Sequence, residues 1–281
     1  MIVDAHQHFW RYSPRAYPWI DETMRVLRRD FLPADLEPLI RAEHVDRTIA
    51  VQACQTTEET EWLLQLAGEH RFIAGVIGWL DLQADDVEAR VERLARNRKL
   101  VGVRHVVQSE PDDAFMLRPA FGRGIAALGR HGLPYDILIY PRHLPVAVDF
   151  VEHFDAQTFV LDHLAKPDIR SRAIDAWARD LRRLAQHPHV WCKVSGLVTE
   201  ADWQRWTAVD LEPYLDVAFD CFGPGRLIAG SDWPVSTLAA DYSRTMSVLR
   251  DYLQRRTPQE REAVLGGNAQ RVWKRAFGSS G

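Results

Sequence analysis

The chain opens Met1-Ile2-Val3-Asp4-Ala5-His6-Gln7-His8-Phe9-Trp10: a short apolar run, Ile2–His6, that ends in two histidines and turns through aromatic residues without one glycine. A doubly wound nucleotide-binding sheet places a glycine-rich phosphate loop directly after its first strand. Its absence here favours the other large class of parallel sheets, the closed barrel, in which polar residues gather at strand ends.

Seven further runs repeat the pattern: Thr48–Cys54, Phe72–Leu80, Leu100–Val107, Leu133–Ile139, Thr158–His163, Val190–Ser195 and Leu227–Ser231. Most are continuously apolar, as suits strands covered on both faces. Helical periodicity lies between many of them. Trp62, Leu63, Leu66 and Ala67 form one stripe, Val87, Val91, Leu94 and Ala95 the next. Arg118–His131 carries Phe121, Ile125 and Leu128, and Ile174–Gln186 carries Trp177, Leu181 and Leu184. Asp241–Arg255 and Pro258–Phe277 complete the set, with Trp62, Trp177 and Trp273 expected to pack the helical shell. Eight strands alternating with helices over 281 residues predict one (β/α)8 TIM barrel spanning 1–277, followed by a tail at 278–281. Trp10–Asp30 is expected to be a long first loop over the barrel mouth.

A formal net charge of −4 argues against nucleic-acid binding. No apolar run is long enough to span a membrane, and no secretory leader is expected. Cys54, Cys192 and Cys221 are odd in number and lack a CxxC spacing, which predicts a reducing, cytoplasmic setting. Homo-oligomerisation is left open.

In a barrel the chemistry belongs at the C-terminal ends of the strands. Strand one supplies His6 and His8, two apart and so on one face, as metal ligands or polar catalytic groups. Strand four supplies Arg104, which must meet an anion or polarise an oxygen, and His105. Strand five supplies Asp136, low in the barrel, and Tyr140, placed to touch a ligand. Strand six supplies His163, with Asp162 expected to point away from it. Strand seven supplies Lys193 and Ser195 on one face, with Cys192 as inert core behind. Strand eight ends in Asp232, where a barrel hydrolase keeps its general base. Three histidines and an aspartate suffice for one divalent ion; they serve equally well without one.

His6-x-His8, Asp162-His163-Leu164-Ala165-Lys166-Pro167 and Gly230-Ser231-Asp232-Trp233-Pro234 together resemble the amidohydrolase superfamily. Asp4–Trp10 with Lys193-Val194-Ser195-Gly196-Leu197 is similar to its lactonase branch, whose members act on L-fuconolactone, L-rhamnonolactone or aromatic dicarboxylate lactones. The resemblance covers essentially the whole chain. It implies a barrel that hydrolyses a lactone: Asp232 activates water, His163, Lys193 and Arg104 complete the catalytic set, and Arg104 contacts the lactone carbonyl. His6, His8, His163 and Asp232 form the implied single metal site. Strand seven offers Lys193 and no fourth strand-end histidine, and strand four offers no bridging lysine or glutamate, unlike binuclear members of the superfamily, so the implied cofactor is one loosely held zinc or none.

Ten tryptophans are about two to three times the ordinary share. Trp10, Trp19, Tyr140 and Trp233, with His105 and Ser195, are the residues expected to hold a sugar-like substrate. Few inward cations accompany them, which favours a neutral aldonolactone such as L-fuconolactone over a dicarboxylate. A metal-dependent decarboxylase, a metal-dependent nuclease and a non-catalytic sugar-binding barrel are the competing readings.

Overall fold

The computed structural model describes residues 1–278. Among them, eight parallel strands form one sheet in sequence order: β1 Val3–Gln7, β2 Arg47–Val51, β3 Ile73–Gly78, β4 Leu100–His105, β5 Tyr135–Ile137, β6 Phe159–Leu161, β7 Val190–Val194 and β8 Leu227–Ala229. Helices α1 Pro33–Ala42, α2 Thr57–Glu69, α3 Val87–Ala95, α4 Pro119–Arg130, α5 Leu144–Glu152, α6 Asp175–Leu184, α7 Ala208–Phe222 and α8 Tyr242–Leu253 lie between and after them. The architecture is the expected (β/α)8 barrel.

The strands are buried almost throughout, which is why their sequences run apolar without alternation. Each helix turns one stripe to the sheet: Trp177, Leu181 and Leu184 from α6, and Met246, Leu249 and Leu253 from α8. Thr56 starts α2 by accepting the Glu59 N–H at 3.1 Å, and Asp241 starts α8 by accepting the Arg244 N–H at 2.7 Å.

Three helices escape the sequence pattern: α1, α5 and α7. Each carries proline, at Pro33 and Pro38, Pro145 and Pro213. In the first turn proline forfeits no helical hydrogen bond. Pro38 and Pro213 lie deeper, yet α1 persists with Leu36 and Ile40 buried, and α7 with Leu211, Tyr214, Leu215, Ala218, Phe219 and Phe222 buried.

The C-terminal segment departs from the single helix expected over Pro258–Phe277. It breaks into Pro258–Glu262, a π turn Ala263–Gly267, Asn268–Val272 and Lys274–Phe277. Gly266 lies so close to Met1 that a Cβ there would stand 2.1 Å from the Met1 carbonyl oxygen. Asn268 Nδ2 donates to the carbonyls of Pro224 at 2.8 Å and Leu227 at 2.7 Å. These ties swing Trp273 out of the shell and under the barrel. There it packs with Val3, Ala5, Ile49, Ile77, Val101 and Val160 as a floor. Of the expected tail, Ser279–Gly281 lies outside the described residues, and the Gly278 N–H still donates to Lys274 O at 2.8 Å.

The ring closes between β1 and β8. His8 N–H donates to Trp233 O at 2.7 Å and Asp232 N–H to His6 O at 2.8 Å. The buried Asp4 carboxylate fastens this seam by accepting from Ser231 N–H at 2.8 Å, Ser231 Oγ at 2.6 Å and Tyr242 OH at 3.0 Å. Among the described residues no helix is long and apolar enough to cross a membrane.

Candidate active site

Three imidazoles meet at the barrel mouth. The His8 Nδ1–H donates to Val51 O at 2.8 Å, which fixes the ring with its Nε2 turned to the mouth. Arg104 Nη1 donates to His6 Nε2 at 3.2 Å; the His6 proton is thereby assigned to Nδ1, 3.4 Å from Asp162 Oδ1. His163 Nδ1 pairs with Ser195 Oγ at 2.8 Å, which leaves its Nε2 facing the mouth. Each ring is thus oriented through Nδ1, and each offers Nε2 to the same place.

Asp232 occupies that place. Its Oδ1 lies 3.3 Å from His8 Nε2, 3.7 Å from His6 Nε2 and 3.8 Å from His163 Nε2. Burial works to raise its pKa, but the surrounding imidazoles outweigh it and hold the group well below the usual carboxylate range. Burial also keeps His6 well below its ordinary value, with Lys193 adding to the effect, and pushes His163 down to about 4. At neutral pH Asp232 is therefore a carboxylate and the His6 and His163 rings are neutral, the forms that activate water or bind metal.

The ligand atoms of His6, His8 and Asp232 lie close enough together to hold one metal ion, while His163 groups with His6 and Asp162. The Nε2 atoms of His6 and His8 are 3.2 Å apart. A tetrahedral zinc with bonds near 2.0–2.1 Å separates its ligands by about 3.4 Å, within the spread seen here. Converging lone pairs also call for a cation or proton among them. Arg104 already serves His6 Nε2, however, which argues for weak retention of an ion.

The backbone around the site is strained. Asp232 has φ of 59°, and His163, Leu164, Ala165 and Lys166 form an unbroken left-handed run with φ of 53°, 54°, 59° and 52°. Such residues cost about 1–2 kcal/mol each and concentrate at functional sites. The run starts where β6 ends and reverses the alternation expected there. Asp162 and His163 therefore both face inward, correcting the expectation that they point apart.

Gly196, with φ of 67°, lets this turn close. A Cβ on it would stand 2.7 Å from His163 Nδ1 and 3.3 Å from Asp232 Oδ2. Gly196→Ala is expected to cut kcat/KM about a hundredfold, the usual consequence of an ångström-scale displacement of a reacting group. Initial rates on the purified variant check this, and wild-type kcat/KM would show that His163 has room to spare.

Below the imidazoles lies a sealed layer of charge. Asp162, fully buried, receives Arg104 Nη1 at 2.9 Å and Lys193 Nζ at 2.9 Å. Lys193 also pairs with Asp136 and sits 5.3 Å above the Trp273 ring. Burial raises the pKa of Asp162, but Lys193, His6 and Arg104 pull it well below the ordinary value. The Asp136 carboxyl is pushed up to about 7 by burial.

A cleft of about 140 Å3 opens over the cluster. His8, Arg104, His163 and Asp232 line it, as the sequence suggested; so does Trp19, which the first loop holds there by donating to Ala53 O at 3.2 Å. The other expected residues lie elsewhere. Lys193 is fully buried beneath His6, 3.2 Å from its Nδ1, and acts through it. Ser195 orients His163 from behind. His105 follows inward Arg104 and so faces outward, held by Glu110 at 2.7 Å and Trp79 at 3.2 Å. Trp10 and Trp233 are buried against Phe31, because the first loop folds down onto β1 and closes over them. Tyr140 stacks on His143 under Lys166, outside the cleft lining. Sequence reasoning missed Gln108, Lys166 and Leu138 in the lining, as well as Gly196 and Asp4. Of these, only the glycine of Ser195-Gly196 gave a local signal.

A (β/α)8 barrel with a His-x-His on strand one, a histidine after strand six and an aspartate after strand eight defines a hydrolytic, metal-competent class of barrel. The chain belongs to the amidohydrolase family, whose profile, described as Amidohydrolase, matches residues 3–275. It is 46% identical to an L-fucono-1,5-lactonase of Burkholderia multivorans over 96% of this chain and 95% of that one. It is 41% identical to an L-fucono-1,5-lactonase of Burkholderia ambifaria over 95% of this chain and 93% of that one. An amidohydrolase from Burkholderia multivorans solved with bound zinc superposes with a TM-score of 0.95 at 44% identity, covering 98% of this chain and 99% of that one.

Proposed function

We propose that this protein is a sugar lactone hydrolase that opens L-fucono-1,5-lactone or a closely similar deoxy-sugar lactone to its aldonate. One observation carries the reading: a buried carboxylate, Asp232, held ionised among three oriented imidazoles at the head of a small cleft. The names of the two Burkholderia relatives support the substrate. A cleft of about 140 Å3 suits a single small ring; drug-sized ligands use roughly 300–1,000 Å3. Arg104 is already paired with Asp162, which favours a neutral lactone over a dicarboxylate.

Asp232 takes a proton from water while the water oxygen bonds to the lactone carbonyl carbon. The carbonyl electron pair moves onto oxygen, where the Arg104 guanidinium stabilises it. Collapse breaks the acyl–ring oxygen bond, and the proton passes from Asp232 to the departing ring oxygen. The new carboxylic acid gives up its proton to solvent as the ring oxygen departs, which leaves the aldonate carboxylate. His6, His8 and Asp232 would hold a zinc ion, which when bound supplies Lewis-acid polarisation. We propose that turnover does not require it. We further propose that residues 1–277 act as one catalytic unit and that the enzyme works in the cytoplasm, in keeping with its three unpaired cysteines.

A pH-indicator assay over a panel of aldonolactones tests this, run with enzyme stripped by chelator and again with zinc restored. Proton release from L-fuconolactone, at similar rates in both arms, is expected. No release from any lactone overturns the function; release only with zinc overturns the metal independence.

A further inference from the structure

Lys166 is a cation with no role in the scheme above. It lines the cleft together with His163 and Asp232, and its Nζ stands 5.6 Å over the Tyr140 ring. Among the described residues no carboxylate oxygen lies within 4.0 Å of it. Glu200, the acid whose charge it feels, is itself shifted toward its neutral form by burial. Arg104, the other cation of the lining, is paired with Asp162.

Its placement is built into the backbone. Lys166 closes the left-handed turn that begins at His163, and its N–H donates to His163 O at 2.7 Å. Leu164 and Ala165 are fully buried beneath, and Trp177 Nε1 donates to Leu164 O at 2.7 Å from the shell. One strained turn therefore puts two residues on the wall of one cleft: His163 beside the water-activating carboxylate, and Lys166, whose ammonium stands between that wall and Tyr140.

We propose that Lys166 holds the carboxylate formed as the ring opens, binding the late transition state and the product in preference to the neutral lactone. The inference rests on the lactone reading. The substrate carries no charge; adding water and breaking the acyl–oxygen bond turns the carbonyl carbon into a carboxylate and releases one proton to solvent. An ammonium in the cleft discriminates between these states, since charge-assisted contacts are roughly twice as strong as neutral ones. Interactions made only as charge develops raise kcat and leave KM alone.

The test compares wild type, Lys166→Met and Lys166→Arg in steady-state kinetics with L-fuconolactone and in calorimetric titration with L-fuconate. Lys166→Met is expected to lower kcat about thirtyfold with KM within threefold, within the range for losing one donor to developing charge. Its affinity for the aldonate is expected to fall about tenfold. Lys166→Arg, which keeps the charge, should restore most of both. A rise in KM at unchanged kcat, or equal aldonate affinity in wild type and Lys166→Met, overturns the proposal. The titration reads binding without turnover, so it decides about Lys166 even if the lactone panel has failed. Active wild type with unaltered Lys166→Met sinks this inference alone.

Discussion

Replacing Asp232 with asparagine is expected to lower kcat about a thousandfold, the middle of the range for a lost general base. The substitution is chosen to isolate the chemistry. Asparagine has the same shape, and it tolerates the left-handed φ of 59° that most side chains resist. The backbone N–H that ties residue 232 to His6 O is untouched. Its amide oxygen still accepts hydrogen bonds but takes up no proton from water. Removing an interaction that matters only in the transition state should lower kcat and kcat/KM together. The indicator assay with thermal melting separates this from unfolding. A folded Asp232→Asn that keeps more than a tenth of wild-type turnover would refute the assignment.

Lys193→Met is expected to act on stability, costing about 3–5 kcal/mol by stranding buried acids that had shared one cation. Arg104 still neutralises part of Asp162, so Asp136 bears most of the loss. The sign of the pH dependence follows. The Asp136 pKa is raised by burial to about 7 in the folded state, above its value of 3.8 when unfolded. Between these values the folded form binds more protons, so stability falls as pH rises. Removing Lys193 raises that folded pKa further, and the gap between wild type and variant should widen from pH 6 to pH 8. Urea unfolding at both pH values measures it. Adding Asp136→Leu should recover much of the loss, since an apolar replacement removes the uncompensated charge. A double variant no more stable than Lys193→Met would show that the pair is not what the lysine holds.

The barrel was legible because burial on both faces writes continuous apolar runs, and the strand-end residues were legible because polar groups at such ends need a reason. His6, His8, Arg104, His163 and Asp232 were all found this way. What was illegible depended on events outside the local pattern. Lys193 reads as a mouth residue from its position, yet the floor formed by Trp273, some eighty residues on, decides that it lies beneath the site. Trp10 and Trp233 read as sugar platforms, yet tertiary folding of the first loop buries them. Asp162 was misplaced because alternation fails where four residues turn left-handed. That turn contains no glycine, so nothing in its composition announces it. The prolines of α1 and α7 hid helices that packing sustains.

The seam between β1 and β8 gives the molecule a history as well as a shape. Asp4 and Ser231, which fasten it, lie 227 residues apart in the chain. On the ribosome the first strand emerges early, bringing His6 and, just after it, His8 without the Asp232 carboxylate that they face. The acid arrives almost last, and its own N–H makes the bond that shuts the ring. An unfinished or nicked chain that cannot bring its two ends together therefore has no catalyst at all, and hydrolysis becomes a direct report that the final strand has docked.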